Sequence, residues 1–441
     1  MVMTYGLTFV VPSGEFARIA DENGDIIIDT AAGFQYVEGG IPFWKWLLSP
    51  IMVLGAEGNV TIIAVIVFLL VIGGVFSSLD KSGLMKYMLD KIVKRFGEAR
   101  YKLMAVIILF FMSLGAFIGS FEVCVPLIPI VAALSISLGW DALTGMGISV
   151  LAAGCGFASG VCNPFTVGVA QELAGLPMFS GMGYRIVSFV LIYSLLLLFV
   201  RRHAKKVERP LGHTVVGEMF LQDPKMDKGL ICFAGILGAG VLLVLSSVFV
   251  KALQDYTMII VAIMFLVAGI VATVVCGMSG KEIGKGFWDG IVSVFPAVFM
   301  ILMASSIKYT LEEAKILDTI LASAMGVAET LPKWVVILFI YLLVLMMNFF
   351  ISSGSAKAFL LMPLIVPMAQ VFGISAQLCV MAYAFGDGFS NVFYPTNPVL
   401  LISLGLADVS YGKWVKWTWK FQLLNLILTS LLLLLGLLIG Y

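Results

Sequence analysis

Three charged residues stand inside apolar stretches of this chain, Glu122, Lys357 and Asp387. An ionised side chain at the centre of a bilayer costs about 2.5 to 3.5 kcal/mol on insertion scales, so each must be paired, solvated in a cavity or neutralised. One arrangement that meets this condition is an ion pair between Glu122 and Lys357. The other gives Lys357 or Glu122 to an ionised solute and Asp387 to a coupling cation or proton.

Their surroundings are rich in residues that interrupt helices. Glu122 ends the tip Gly119-Ser120-Phe121-Glu122, and Lys357 ends the tip Ser352-Ser353-Gly354-Ser355-Ala356-Lys357. Two further stretches, 154–166 and 385–398, carry Gly, Ser and Asn around the dipeptides Asn163-Pro164 and Asn397-Pro398. Backbone without hydrogen-bond partners is not tolerated facing lipid, so such clusters fit a polar cavity at membrane depth. They free carbonyls for a cation and amides for an anion. Close packing of helices through small residues is the simpler alternative, and four symmetrically placed clusters favour a site.

These residues must be positioned by membrane-spanning helices. The chain of 441 residues is 61% hydrophobic and 12% charged, with a mean hydropathy of +1.07, far from the balance of a soluble domain. Apolar runs long enough to cross hydrocarbon as helices fall at 58–78, 142–171, 183–200, 229–250, 257–275, 289–307, 376–403 and 421–440. Two paired apolar segments lie at 101–138 and 333–372. The short alternating strands of a membrane barrel are absent from the sequence pattern, so the fold class is all-α and polytopic. Segments 83–96 and 308–325 read either as helices on the membrane surface or as amphipathic connectors. Met1 to Pro12 is too short to span and reads as the end of a first helix that begins upstream.

Sliding the chain against itself by 234 residues superposes Pro129 on Pro363, Gly139 on Gly373, Gly154 on Gly388, and Asn163-Pro164 on Asn397-Pro398. Each copy is a paired segment with a polar tip followed by a long span broken near its far end. Each pair leaves and re-enters one side, either as a hairpin or by crossing twice. Five spans lie between the pairs, so they open to opposite sides, the inverted-repeat arrangement of secondary transporters. Basic loops at 80–102, 201–228 and 406–420 mark the cytoplasmic side of a cytoplasmic (inner) membrane, and the acid-rich segment 13–57 suits the outside.

Other chemistries are disfavoured. The net charge of +1 marks no nucleic-acid partner. The six cysteines form no C-x-x-C pair, and His203 and His213 lie in a polar segment. No G-x-x-x-x-G-K-[ST] loop is present, nor a G-x-S-x-G elbow. No cofactor and no enzymatic activity are expected. A channel lined by the same breaks is the alternative to a carrier.

The stretches Asn163 to Pro177, Ser180 to Arg185, Ser353 to Lys357 and Phe385 to Asn391 resemble the YfcC-type branch of the four-carbon dicarboxylate anaerobic carrier family, over nearly the whole chain. The resemblance implies the ion transporter superfamily, with two re-entrant helical hairpins, a homodimer held by scaffold helices, and an elevator-type transport domain. The segments then divide into scaffold at 1–100, transport domain at 101–175, scaffold with a surface helix at 176–332, transport domain at 333–405 and scaffold at 406–441. Relatives are associated with dicarboxylates or basic amino acids, often as exchangers. Two departures bear on the site. Glu122 is followed by Val123 where the family often has a second acid, and Asn397-Pro398 stands where small residues are expected.

The function expected is secondary transport, by symport or antiport, of a small carboxylate or amino acid. The solute would be held by Gly119, Ser120, Glu122, Asn163, Ser353, Gly354, Ser355, Lys357, Asn391 and Thr396. Coupling to a sodium ion or a proton would involve Asn163, Thr166, Asp387, Ser390 and Asn397. Arg185 and Glu172, near span ends, are expected to snorkel.

Overall fold

The computed structural model describes residues 2–20, 26–28, 33–56, 59–119, 121–177, 179–209, 223–246, 257–328 and 331–441. The N-terminal run forms α1 (Val2–Val10). Four three-residue strands follow, β1 (Gly14–Phe16), β2 (Arg18–Ala20), β3 (Ile26–Ile28) and β4 (Phe34–Tyr36). β1 pairs antiparallel with β4 and β2 with β3. This amends the all-α expectation for the acid-rich segment. Isoleucine is a residue type enriched in strands, and β3 is a run of three.

Short helices at Phe43–Leu47 and Ser49–Met52 lead to the main helices among the described residues: α2 (Asn59–Lys81), α3 (Leu84–Phe96), α4 (Arg100–Ser113), α5 (Ile128–Ser137), α6 (Ala142–Ser159), α7 (Val169–Leu173), α8 (Met182–Val207), α9 (Pro224–Ser246), α10 (Thr257–Val275), α11 (Gly280–Glu313), α12 (Leu317–Ala328), α13 (Lys333–Phe350), α14 (Gly354–Val371), α15 (Ala376–Asn391), α16 (Pro398–Leu406) and α17 (Tyr411–Ile439). Six helical runs among these residues are long and apolar enough to cross a bilayer: Leu84–Phe117, Ala142–Ser159, Met182–Val207, Lys333–Phe350, Gly354–Val371 and Tyr411–Ile439.

Three expected boundaries move. The span at 289–307 and the start of the segment 308–325 are one helix, α11, whose Ser279 and Glu282 form a reciprocal N-terminal capping box. Its polar ends continue past the apolar run because intrahelical hydrogen bonding does not stop where hydrocarbon does. For the same reason, the basic segment expected as a loop at 406–420 is helical from Tyr411, within α17. The loop at 201–228 is likewise helical to Val207 and again from Pro224, and residues 210–222 lie outside the described set.

The 234-residue register recurs in local structure. Gly139 and Gly373 both take positive φ, 85° and 67°, a conformation that glycine adopts without strain. They close equivalent turns: Trp140 N donates to Ser135 O at 3.0 Å, and Ile374 N to Ala369 O at 3.0 Å. The following helices are capped at equivalent positions, Asp141 accepting from Thr144 N and Ser375 from Leu378 N. A basic side chain closes each turn as well, Arg100 donating to Leu138 O and Lys333 to Gly373 O.

Two sets of helices pack among themselves. α2 lies on α11 and α10, and α10 on α9. A Cβ on Gly290 would strike the Gly73 backbone, so α2 and α11 approach closely because neither has a side chain there. In the second set α15 packs on α6 and α13, and α8 and α17 cover them. The broken spans touch where Gly388 abuts Ala158 and Gly154 abuts Val392.

Candidate functional site

The predominantly apolar α13 ends at Ile351, whose extended backbone breaks the helix, and Ser353 caps α14 by accepting from Ala356 N at 3.4 Å. Lys357 therefore falls on the first turn of α14. Its side chain has no solvent exposure, and its ammonium lies 2.6 Å from Asp387 Oδ1. It also donates to Asn348 Oδ1 and, at 3.2 Å, to Ile351 O. Lys357 thus pairs with Asp387, and two helices are joined by their buried charges, while the expected Lys357–Glu122 pair involves a side chain outside the described residues. Such a pair offsets its desolvation only when further hydrogen bonds complete it.

Asp387 lies on α15, every residue of which from Leu378 to Asn391 is buried. Asn348, near the end of α13, connects this helix to Lys357. Its Nδ2 faces Asp387 O at 3.2 Å, Ser390 Oγ at 2.7 Å and Asn391 Oδ1 at 3.0 Å. Asn397 Nδ2 donates to the same Asn391 oxygen at 2.8 Å, while its own oxygen caps α16 through Leu400 N. The chain Lys357, Asn348, Asn391, Asn397 therefore ties the second tip to the second break. Asn348 was not among the expected site residues, although it is the one amide in the apolar run from Trp334 to Phe350 and that isolation is itself a signal.

The first repeat contributes from the other side. Gly119 takes φ 71°, and a Cβ there would collide with the Asn163 side chain. Asn163 Oδ1 accepts from Thr166 N at 3.2 Å, the counterpart of the Asn397 cap. Thr166 and Asp387 then meet at Gly354: a Cβ there would lie 2.6 Å from Asp387 Oδ2 and closer still to the Thr166 methyl. The Tyr383 hydroxyl donates to Gly354 O. Among the described residues, Asp387 Oδ2, Thr166 Oγ1 and Thr396 Oγ1 are buried without a hydrogen-bond partner. Orphaned buried acceptors of this kind cost free energy unless something supplies a donor or a cation.

The structure thus draws together Gly119, Asn163, Thr166, Gly354, Lys357, Asp387, Ser390, Asn391 and Asn397. Ser353 is exposed at the second tip and Ser355 is half-buried, outside the paired network. Ser120 and the Glu122 side chain lie outside the described residues, and Glu122 opens the 3-10 turn Glu122–Leu127.

Arg185 does not snorkel. It is fully buried, with Nε 3.3 Å from Val161 O at the first break, Nη1 3.4 Å from the Tyr441 hydroxyl, and Nη2 unpartnered among the described residues. Glu172 is exposed, as expected of a span end.

A charged cavity of about 260 Å³ opens beside the second tip, with Arg18, Lys308, Lys315 and Asp318 on one side and Ile351 and Ala356 on the other. Arg18 Nη2 donates to both carboxylate oxygens of Asp318, at 2.9 and 3.2 Å, which fastens β2 to α12.

The family model described as DcuC, C4-dicarboxylate anaerobic carrier, matches residues 1–438, and the chain belongs to that family. It is a membrane transporter and not an enzyme. The chain is 31% identical to the Escherichia coli (strain K12) protein named "Putative basic amino acid antiporter YfcC", over 81% of this chain and 74% of that one. It is 24% identical to an uncharacterized protein of Haemophilus influenzae, over 98% of this chain and 94% of that one. Among solved structures, the YdaH transporter of Alcanivorax borkumensis aligns over 100% of this chain and 97% of its own, at 19% identity and a TM-score of 0.45. MtrF of Neisseria gonorrhoeae aligns over 99% and 93%, at 16% identity and a TM-score of 0.46.

Proposed function

We propose that this member of the C4-dicarboxylate anaerobic carrier family is a secondary transporter that moves a small amino acid or carboxylate by alternating access. The observation that carries this reading is the buried Lys357–Asp387 pair, whose second carboxylate oxygen is orphaned where the second tip meets the first break. An amino acid brings one carboxylate and one ammonium, the same two charges. Its carboxylate can take Lys357 while its ammonium takes Asp387 Oδ2, and no charge is left unpaired in a low-dielectric site. A dicarboxylate would displace Asp387 from Lys357 without compensating it, so its passage requires a proton or a sodium ion at Asp387, with Thr166 and Asn391 beside it.

A basic amino acid has one further positive charge, and Glu122 on the first tip supplies a matching acid. The name of the Escherichia coli relative points the same way. The cavity beside the second tip would serve as the outer vestibule. In this reading the two repeats are inverted, and the hairpins and broken spans, with α8 and α17, move as one body against α2 and α9 to α11. That regroups the segments expected as scaffold at 176–332 and 406–441. A homodimer in the inner membrane, with the basic segments inside, completes the proposal.

Counterflow in proteoliposomes tests it, using labelled basic and neutral amino acids, monocarboxylates and dicarboxylates, with and without sodium. Trans-side amino acid should accelerate uptake of labelled amino acid, and Lys357→Ala should abolish it. Asp387→Asn should change the dependence on sodium or pH of any dicarboxylate uptake. Undiminished exchange by Lys357→Ala, or conductance without counterflow, would overturn the reading.

A further inference from the structure

A second cleft, of about 520 Å³, lies between α8 and α17 and is lined by none of the residues of the tips and breaks. Its rim carries Arg202 and Lys206 from α8 and Lys416 and Lys420 from α17, all exposed. Among the described residues none of the four enters an ion pair, unlike Lys91, which finds Asp227, and Arg100, which finds Glu208. Four like charges around one cleft raise its potential, and a bound anion would relieve their mutual repulsion.

Below the rim the walls turn apolar in a directed way. On α8 the cleft face runs from Lys206 and Arg202 to Leu198 and Leu195, at helical spacing. On α17, which runs the opposite way, it passes from Lys416 and Lys420 to Leu424. Both walls thus go from basic to aliphatic in the same direction, over about 12 to 16 Å at 1.5 Å per residue. Leu198 and Leu424 are 66% and 49% exposed, so the aliphatic strip is uncovered. The floor is firm. Trp417 packs on the rings of Phe199 and His203 and on Gly147 of α6, and His203 is held 3.1 Å from Asp141.

We infer that this cleft binds a phospholipid with an anionic phosphodiester head group. The head would sit among Arg202, Lys206, Lys416 and Lys420, and an acyl chain would lie along Leu198, Leu195 and Leu424. Basic pockets between membrane helices at the water boundary suit such head groups. Free phosphate would use the rim and leave the leucines bare. A two-fold copy of this chain would bring four cations against four. The site is separate from the Lys357–Asp387 centre and does not depend on the transport reading.

The full-length protein, purified in a neutral detergent, tests this with three probes: phosphatidylglycerol, phosphatidylcholine of the same acyl chains, and inorganic phosphate. Native mass spectrometry and thermal unfolding give the readouts. Phosphatidylglycerol should bind about tenfold or more tightly than phosphatidylcholine and raise the Tm, and high salt should erase the difference. Arg202→Gln/Lys416→Gln/Lys420→Gln should lose that preference, while Lys413→Gln, outside the cleft, should keep it. Equal binding of the two lipids, or stabilisation by inorganic phosphate alone, would overturn the inference. So would a triple variant that keeps the preference, or one that changes only the association of copies. Should the triple variant fail to fold, a preference in the wild type that survives high salt would overturn it as well.

Discussion

Lys357 Nζ and Asp387 Oδ1 are 2.6 Å apart, and neither side chain touches solvent. The pair joins the first turn of the second tip to the helix of the second break, so removing one charge strands the other. Lys357→Met and Asp387→Asn should each destabilise the protein by about 3 to 5 kcal/mol, as breaking one side of a buried pair does. The double variant should regain much of that loss while remaining inactive. Thermal unfolding of the four proteins closes the cycle, and additive losses would mean that the two groups do not interact.

Gly354 is where hydrogen replaces a side chain between the Thr166 methyl and Asp387 Oδ2. Gly354→Ala should overpack this junction at about 1 to 3 kcal/mol and suppress uptake. Adding Thr166→Ser, which removes the methyl, should restore part of both. Uptake by Gly354→Ala at the wild-type rate would show that the junction opens without constraint.

Asn348 holds Lys357, Ser390 and Asn391 at once. Asn348→Leu keeps the volume and leaves buried partners unsatisfied, which costs about 1 to 3 kcal/mol for each stranded group. The expected result is a lowered Tm with loss of uptake. An unchanged Tm would mean that Asn391 and Ser390 find other partners.

Asp141 caps α6 and meets His203 from α8. Burial raises its carboxyl, but bonds from the His203 ring and the Thr144 hydroxyl and amide outweigh this and hold it at about 2, against an ordinary 3.8. A lowered folded-state value stabilises the fold above the unfolded-state value, and that stability is lost as the pH falls from about 4 toward 2. Asp141→Asn keeps a capping oxygen and removes the charge. The wild type should therefore unfold at a higher temperature than this variant at neutral pH, and the two should converge near pH 2. Parallel pH curves would remove the charge from the account.

Several features of this protein are legible in its sequence because they are properties of single segments. Apolar length places the spans, and Gly and Asn-Pro place the breaks. The 234-residue register identifies turns that the structure closes in the same way at Gly139 and Gly373. Partner choice is a different kind of property. Nothing in the local sequence assigns Asp387 to Lys357, and only the approach of α14 to α15 brings the two together. Asn348 became a hub, and Arg185 was enclosed beneath Val161 instead of reaching water. The extension of α17 back to Tyr411 set Lys416 and Lys420 opposite Arg202. Each of these outcomes depends on distances between residues remote in the chain, which local composition and periodicity do not encode.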